Sequence, residues 1–306
     1  MPNNRKKATL VEFKKQLPMH LMLLPCIIPV LIFSYYPMVG LLVAFERFYP
    51  NKGFFHSPFV GLKNFTYVLN MPNTYQVLWN TVFISAMKIV LGLLVPVLFA
   101  ILLDLVRKSG FRRTIQTIIY MPYFLSWVIL SGILIDVLSP NTGIVNQIMK
   151  SFGMEPIFFL GNEKFFPYVL VATDIWKNFG YGTIIYLAAI TAIDLSLYEA
   201  AIMDGANRFK QVLHITLPGI APIVALMATL SLGNVLNAGF EQVFNLYSPV
   251  VYSTGDILDT LVYRIGLMNN QYGVGAAVGL FKSIVSMVFI GVGYWLADKY
   301  LDYRVF

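Results

Sequence analysis

Six apolar stretches, each long enough to cross a bilayer, leave this chain few ways to fold. They run over roughly 19–45, 77–105, 114–138, 167–193, 218–239 and 273–297. About 20 apolar residues span the hydrocarbon core as a helix. Lipid offers the backbone no hydrogen-bond partner, so each stretch is expected to be helical. The expected fold class is therefore an all-α membrane protein with six transmembrane helices. Pro25, Pro29 and Pro37 are expected to bend or break the first of them, because each removes an N–H and crowds the preceding turn. Composition agrees: 12% of residues are charged, about half the share of a soluble domain.

The charges also orient the spans. With the N-terminus in the cytoplasm, the inside segments hold thirteen Lys and Arg, from Arg5 and Lys6 through Arg107, Lys108, Arg112, Arg113, Arg208 and Lys210 to Lys299 and Arg304. The outside segments hold six: Arg47, Lys52, Lys63, Lys150, Lys164 and Arg264. The positive-inside rule then places both termini in the cytoplasm. Topology accounts for much of the net charge of +7, so no nucleic-acid surface is needed. The expected organisation is a cytoplasmic segment 1–18, a six-helix membrane domain 19–297 with a cytoplasmic loop 194–217, and a cytoplasmic tail 298–306. The first apolar run is too long for a signal-peptide core and no small-residue cleavage site follows it, so it is expected to be retained. The single cysteine, Cys26, excludes an intrachain disulfide and a cysteine-rich metal site. The outer loops, 46–76, 139–166 and 240–272, carry Phe54, Phe55, Phe65, Tyr67, Phe158 and Phe159, suited to anchoring at the lipid interface or to contact with an external partner protein.

The inside segment between spans four and five is the most informative. From Glu199 it runs Glu199-Ala200-Ala201, then Asp204-Gly205, then Arg208-Phe209, and on to Leu213-His214-Ile215-Thr216-Leu217-Pro218. This predicts a short helix, a glycine break at Gly205, and a second short helix stopped before Pro218. Asp204 is expected to satisfy backbone donors beside the break. Phe209, Val212 and Leu213 fall on one helical face. A compact helical knob with an apolar stripe suits insertion into another protein's groove.

The spacing Glu-Ala-Ala, three residues, Gly, nine residues, Ile-x-Leu-Pro resembles the EAA motif of ABC importer permeases. Glu199, Ala200, Ala201, Gly205, Ile215, Leu217 and Pro218 fill its places. The likeness extends along the chain, through Pro37-Met38, Val60-Gly61-Leu62, Trp176 with Gly180-Tyr181-Gly182-Thr183, and Ala277-Val278-Gly279-Leu280-Phe281. These look like the carbohydrate-uptake branch, the LplB-like permeases for polysaccharide-derived oligosaccharides. The resemblance implies a type I importer transmembrane domain in the bacterial cytoplasmic membrane. It implies as partners two copies of an ABC ATPase, a second homologous permease in a heterodimer, an extracytoplasmic solute-binding protein and an oligosaccharide substrate. The chain contains no Gly-x-x-x-x-Gly-Lys-Ser/Thr phosphate loop. ATP and magnesium are thus expected on the partner ATPase, with no cofactor, metal or catalytic residue here. Glu199 and Arg208 are the expected polar contacts to that ATPase.

Charged groups inside a span usually face a cavity, because hydrocarbon penalises them. Lys88, Lys177 and Lys282 lie in spans two, four and six, about 10–12 residues from the outer ends, or roughly 15–18 Å deep. Together they predict a positive belt. Where the resembled pattern reads Phe-Asn-Ser, this chain has Phe281-Lys282-Ser283. The belt suggests an anionic, uronate-containing oligosaccharide. The alternatives are a neutral oligosaccharide, with Asp174 simply pairing Lys177 on one helix face, or an ion-coupled secondary transporter. Trp176, Asn178, Tyr181, Asn234, Asn237, Glu241 and Gln242 complete the expected pathway, since aromatic faces stack on sugar rings and amides bond hydroxyls.

Overall fold

The structure, a computed structural model, describes residues 3–106 and 108–301. Arg107 and Arg304, two cations of the orientation argument, lie outside the described residues, as do the side chains of Arg5, Lys6, Lys7, Lys14 and Lys15 and most of the expected tail. Among the described residues there is no strand, only one isolated bridge between Glu46 and Phe59. Four helices are long and apolar enough to cross a membrane, and six if two bent pairs each count as one.

The first rod departs from expectation. It is an α-helix over Asn3–Val30, a π-helix over Leu31–Tyr35 and a 3-10 helix over Tyr36–Phe45. Pro25, Pro29 and Pro37 do not break it: Gln16–Phe45 remains one 30-residue span. The change of hydrogen-bond pattern after Pro29 and at Pro37 absorbs the missing donors. Most of its surface is unpacked within this chain; Met22 and Phe33 are each 78% exposed.

The Thr74–Asp104 and Phe166–Thr191 helices pack along one another and form the centre. Ile84, Leu130, Phe166, Leu170 and Ile257 are buried together beside them. Lipid is as apolar as these side chains, so close packing and interhelical hydrogen bonds hold the bundle more than apolar burial does.

The stretch read as one span over 114–138 is broken. Ser109–Tyr120 continues into a 3-10 turn, Met121–Phe124, and Trp127–Val137 leaves at 105°. Pro122 removes a donor, Leu125 and Ser126 are extended, and the Ser126 hydroxyl accepts the Ile129 N–H at 3.3 Å to start the new helix. The break seats against Gly180, where a Cβ would lie 2.0 Å from the Ile119 carbonyl oxygen. Span five also ends early, at Leu232 rather than 239. The 240–272 segment is no surface loop: it folds back as short helices whose Gln242, Val243, Leu258 and Leu261 are buried. The last helix, Tyr272–Leu301, closes the bundle.

Candidate functional site

The knob is built from local hydrogen bonds. Asp194 caps the Leu195–Met203 helix by accepting the Ser196 N–H at 2.9 Å, which holds its carboxyl below the usual carboxylate range. The helix ends on Gly205 at φ +75°, with Gly205 N–H bonded to Ile202 O at 3.0 Å and Ala206 N–H to Ala201 O at 2.8 Å. This paired left-handed ending satisfies the last carbonyls and needs a residue without a Cβ. The donors beyond the break are met by Asn207, whose Oδ1 accepts the Lys210 N–H at 2.9 Å. Asn207 and the chain turn therefore do what Asp204 was expected to do, and Asp204 is exposed.

The second helix does not stop before Pro218. Arg208–Gln211 passes through a π turn, Val212–Thr216, into Leu217–Leu232, one 25-residue rod over Arg208–Leu232. Pro218 sits just past the π turn, whose changed hydrogen-bond pattern accommodates its missing N–H inside the continuous rod. Tyr198 and Thr216 share a hydroxyl–hydroxyl bond of 2.9 Å that ties the knob to this rod.

The knob's tip is apolar and uncovered: Met203 is 87% exposed, Phe209 74% and Ile202 61%. Leu213 is 48% exposed, whereas Val212 turns inward to a cleft shared with Asp104, Tyr198 and Arg208. Glu199, Ala200 and Pro218 are exposed, and Ala201, Ile215 and Leu217 half-buried. Sequence reasoning missed Ile202 and Met203. Their signal was present, since two large apolar residues end a helix beside a glycine break.

At the level of the membrane, Lys88, Asp174, Asn178, Asn234 and Asn237 line one open cleft of about 800 Å³ with Ser85 and Tyr123. Asn234 and Asn237 lie in a turn after Leu232, exposed to the cleft. No side-chain hydrogen bond within the described chain occupies the amides of Asn178, Asn234 or Asn237. Trp176 and Tyr181 are near half-exposed, and Tyr181 stacks on Tyr123 at 4.2 Å between ring centres. Glu241 is exposed. Gln242 is fully buried, donating to Leu170 O at 2.7 Å and Thr173 Oγ1 at 2.8 Å, so it braces the cleft from behind.

The free positive belt is not found. Lys88 donates to Ala238 O at 2.7 Å and to Gln242, and lies 3.4 Å from Asp174. Asp174 thus pairs across helices with Lys88, not with Lys177 along its own. Lys177 donates to the Tyr123 carbonyl at 2.7 Å, an acceptor freed by the helix break, and lies over the Tyr123 and Trp127 rings. Lys282 contacts both oxygens of Asp259, at 2.6 and 2.8 Å, outside the cleft. Each lysine is satisfied within the chain, as hydrocarbon depth demands, and Lys88 with Asp174 contributes no net charge to the cleft.

A bundle of membrane-length helices with a polar cleft and an apolar-tipped knob defines a permease subunit. The chain belongs to the family of binding-protein-dependent transport system inner membrane components, whose pattern it matches over residues 97–302. It is accordingly a multi-pass protein of the cytoplasmic membrane, an ABC transport subunit and not an enzyme, and the ion-coupled reading falls. It is 39% identical over 296 residues to the polygalacturonan/rhamnogalacturonan transport system permease protein YteP of Bacillus subtilis (strain 168), covering 97% of this chain and 92% of that protein. Against protein LplB of the same organism the identity is 38% over 291 residues, covering 95% and 92%. Its fold is similar to a chain of a bacterial alginate ABC transporter solved with an alginate pentasaccharide-bound periplasmic protein. The TM-score is 0.87 at 34% identity, over 94% of this chain and 96% of that one.

Proposed function

We propose that this chain forms half of the translocation path of a type I ATP-driven importer of acidic oligosaccharides. In this reading the chain crosses the membrane six times, the broken 114–138 stretch counting once, and both termini are cytoplasmic. The 194–217 loop docks on one of two ABC ATPases, which bind ATP and magnesium. A second, homologous permease supplies the other half of the path, and a solute-binding protein delivers the sugar.

The observation that carries the reading is the knob: Met203 and Phe209, 87% and 74% exposed, project from a rigid turn that joins directly to the Arg208–Leu232 rod. Exposed apolar tips of this size mark a protein contact. Glu199 and Arg208 flank them as polar contacts, Gly205 sets the turn, and Leu213 extends the anchor. A push on the tip passes along the rod to Asn234 and Asn237 just beyond its far end. The free amides of the cleft offer donors and acceptors to sugar hydroxyls.

The acidic substrate is supported by relatives named for polygalacturonan and alginate, not by the three lysines. The test is ATP-driven uptake in reconstituted transporter with its binding protein. Trigalacturonate is expected to be taken up, and a neutral trisaccharide is not. Equal uptake of the two would refute acidic selectivity. Uptake and ATPase association that survive Gly205→Asp would refute the docking role.

A further inference from the structure

Glu46 is the unexplained charge of this fold. It ends the first rod, is only 9% exposed, and its Oε2 finds no hydrogen-bond donor among the described residues. A buried carboxylate oxygen without a donor is costly and calls for a partner from outside. The backbone of Glu46 is held in place. Its carbonyl accepts from the Asn64 side chain at 3.0 Å, and its strand-like bridge to Phe59 fixes the other side.

Glu46 lines a cavity of about 820 Å³ on the face read as extracytoplasmic, between the end of the first rod and the start of the last helix. Tyr49, Tyr67 and Tyr272 give it aromatic walls. The Tyr272 hydroxyl donates to Asn270 Oδ1 at 3.0 Å, which orients that amide and leaves its NH₂ for a ligand. Arg47 and Lys63 stand exposed at the rim, and neither has an acidic partner among the described residues. Arg47 lies over the Tyr49 ring at 5.8 Å.

We infer that this cavity is a second carbohydrate site, at the outer mouth, for a sugar residue that carries a carboxylate. Glu46 accepts ring hydroxyls, the tyrosine faces hold the ring, and Lys63 and Arg47 pair with the carboxylate. Two cations against one carboxylate disfavour a bare divalent ion. The cavity is also far larger than a single basic side chain of a docking protein needs, and falls in the range of small-molecule sites. The inference rests on the transport reading above and relocates its selectivity: acid is recognised at the mouth by unpaired cations, not in the cleft, where the lysines are engaged.

The experiment uses the assembled transporter in nanodiscs, without the solute-binding protein, and saturated trigalacturonate as probe in a calorimetric titration. Glu46→Gln and Lys63→Gln are each expected to weaken binding about tenfold or more, with basal ATPase unchanged. Lys63 is on the exposed rim, so its variant tests the site even where Glu46→Gln disturbs folding. Probe binding equal to wild type in both variants overturns the inference. In a companion pull-down with the solute-binding protein added, loss of its association in the variants with probe affinity intact also overturns the inference, since the cavity would then be a protein contact, and so does a wild-type transporter that binds no probe. Uptake by wild type with binding independent of Glu46 and Lys63 overturns the site alone. Binding that depends on both residues, without uptake, supports the site and overturns the transport reading.

Discussion

The knob and the cleft are held together in opposite ways. Around Gly205 the bonds that set the turn close within a few residues: Ser196 to Asp194, Ala206 to Ala201, Lys210 to Asn207. In the cleft the bonds join distant parts of the chain, such as Lys88 to Ala238 and Gln242 to Leu170. A unit with local bonds keeps its shape while its surroundings move, which suits a part that is pushed. A unit assembled from three helices changes shape whenever those helices shift, which suits a part that must open and close.

The contrast can be broken at several points. The largest effect belongs to the cleft. Lys88→Met strands the Asp174 carboxylate at low exposure and is expected to cost about 3 kcal/mol. Thermal unfolding in detergent measures it, and adding Asp174→Asn should restore most of the loss. If the double variant is no better than the single, the two groups are not coupled. Next comes Gly205→Asp, which forces a side chain into the left-handed region at about 1–2 kcal/mol and adds charge to the docking face. Binding of the ATPase and uptake should each fall roughly tenfold. Gly205→Ala should fall less, since it bears the same left-handed strain but brings no charge to that face. Asn207→Ala removes a cap worth about 1 kcal/mol, and faster hydrogen exchange at the Lys210 amide reports it. The smallest effect is at Lys282→Met. Asp259 is as exposed as Asp174, 21% against 20%. It sits, however, in the first turn of its helix, and Lys282 serves no second acceptor among the described residues. A loss of at most about 1 kcal/mol is therefore expected. Selectivity between charged and neutral sugars should stay the same.

What could be read from sequence follows the same division. The knob's start, turn and second helix were legible because Gly205 and the alanines act over one or two turns. Its misreadings, the stop before Pro218, the cap by Asp204 and Val212 on the apolar stripe, also concern local choices. The cleft yielded residue names but not pairings. That Lys88, Asp174, Asn178, Asn234 and Asn237 meet follows from buried polarity. That Asp174 takes Lys88 and leaves Lys177 to a carbonyl depends on the helix break at 125–126, and periodicity does not signal it. Glu46 carries no signal in the sequence, because burial of a charge at a helix end depends on the Phe59 and Asn64 segments folding over it.

The π turn at Val212–Thr216 has one more consequence. Widening a single turn inserts about one residue relative to α geometry, and one residue is worth about 100° around the axis. The turn thus works as a phase setter between the two ends of the rod. It fixes which compass bearing of Leu217–Leu232 looks at the Phe166–Thr191 helix for a given bearing of Phe209. Deleting one residue there would leave the rod helical yet rotate its far end out of step, so for a given bearing of the knob a different face of Leu217–Leu232 would look toward the cleft.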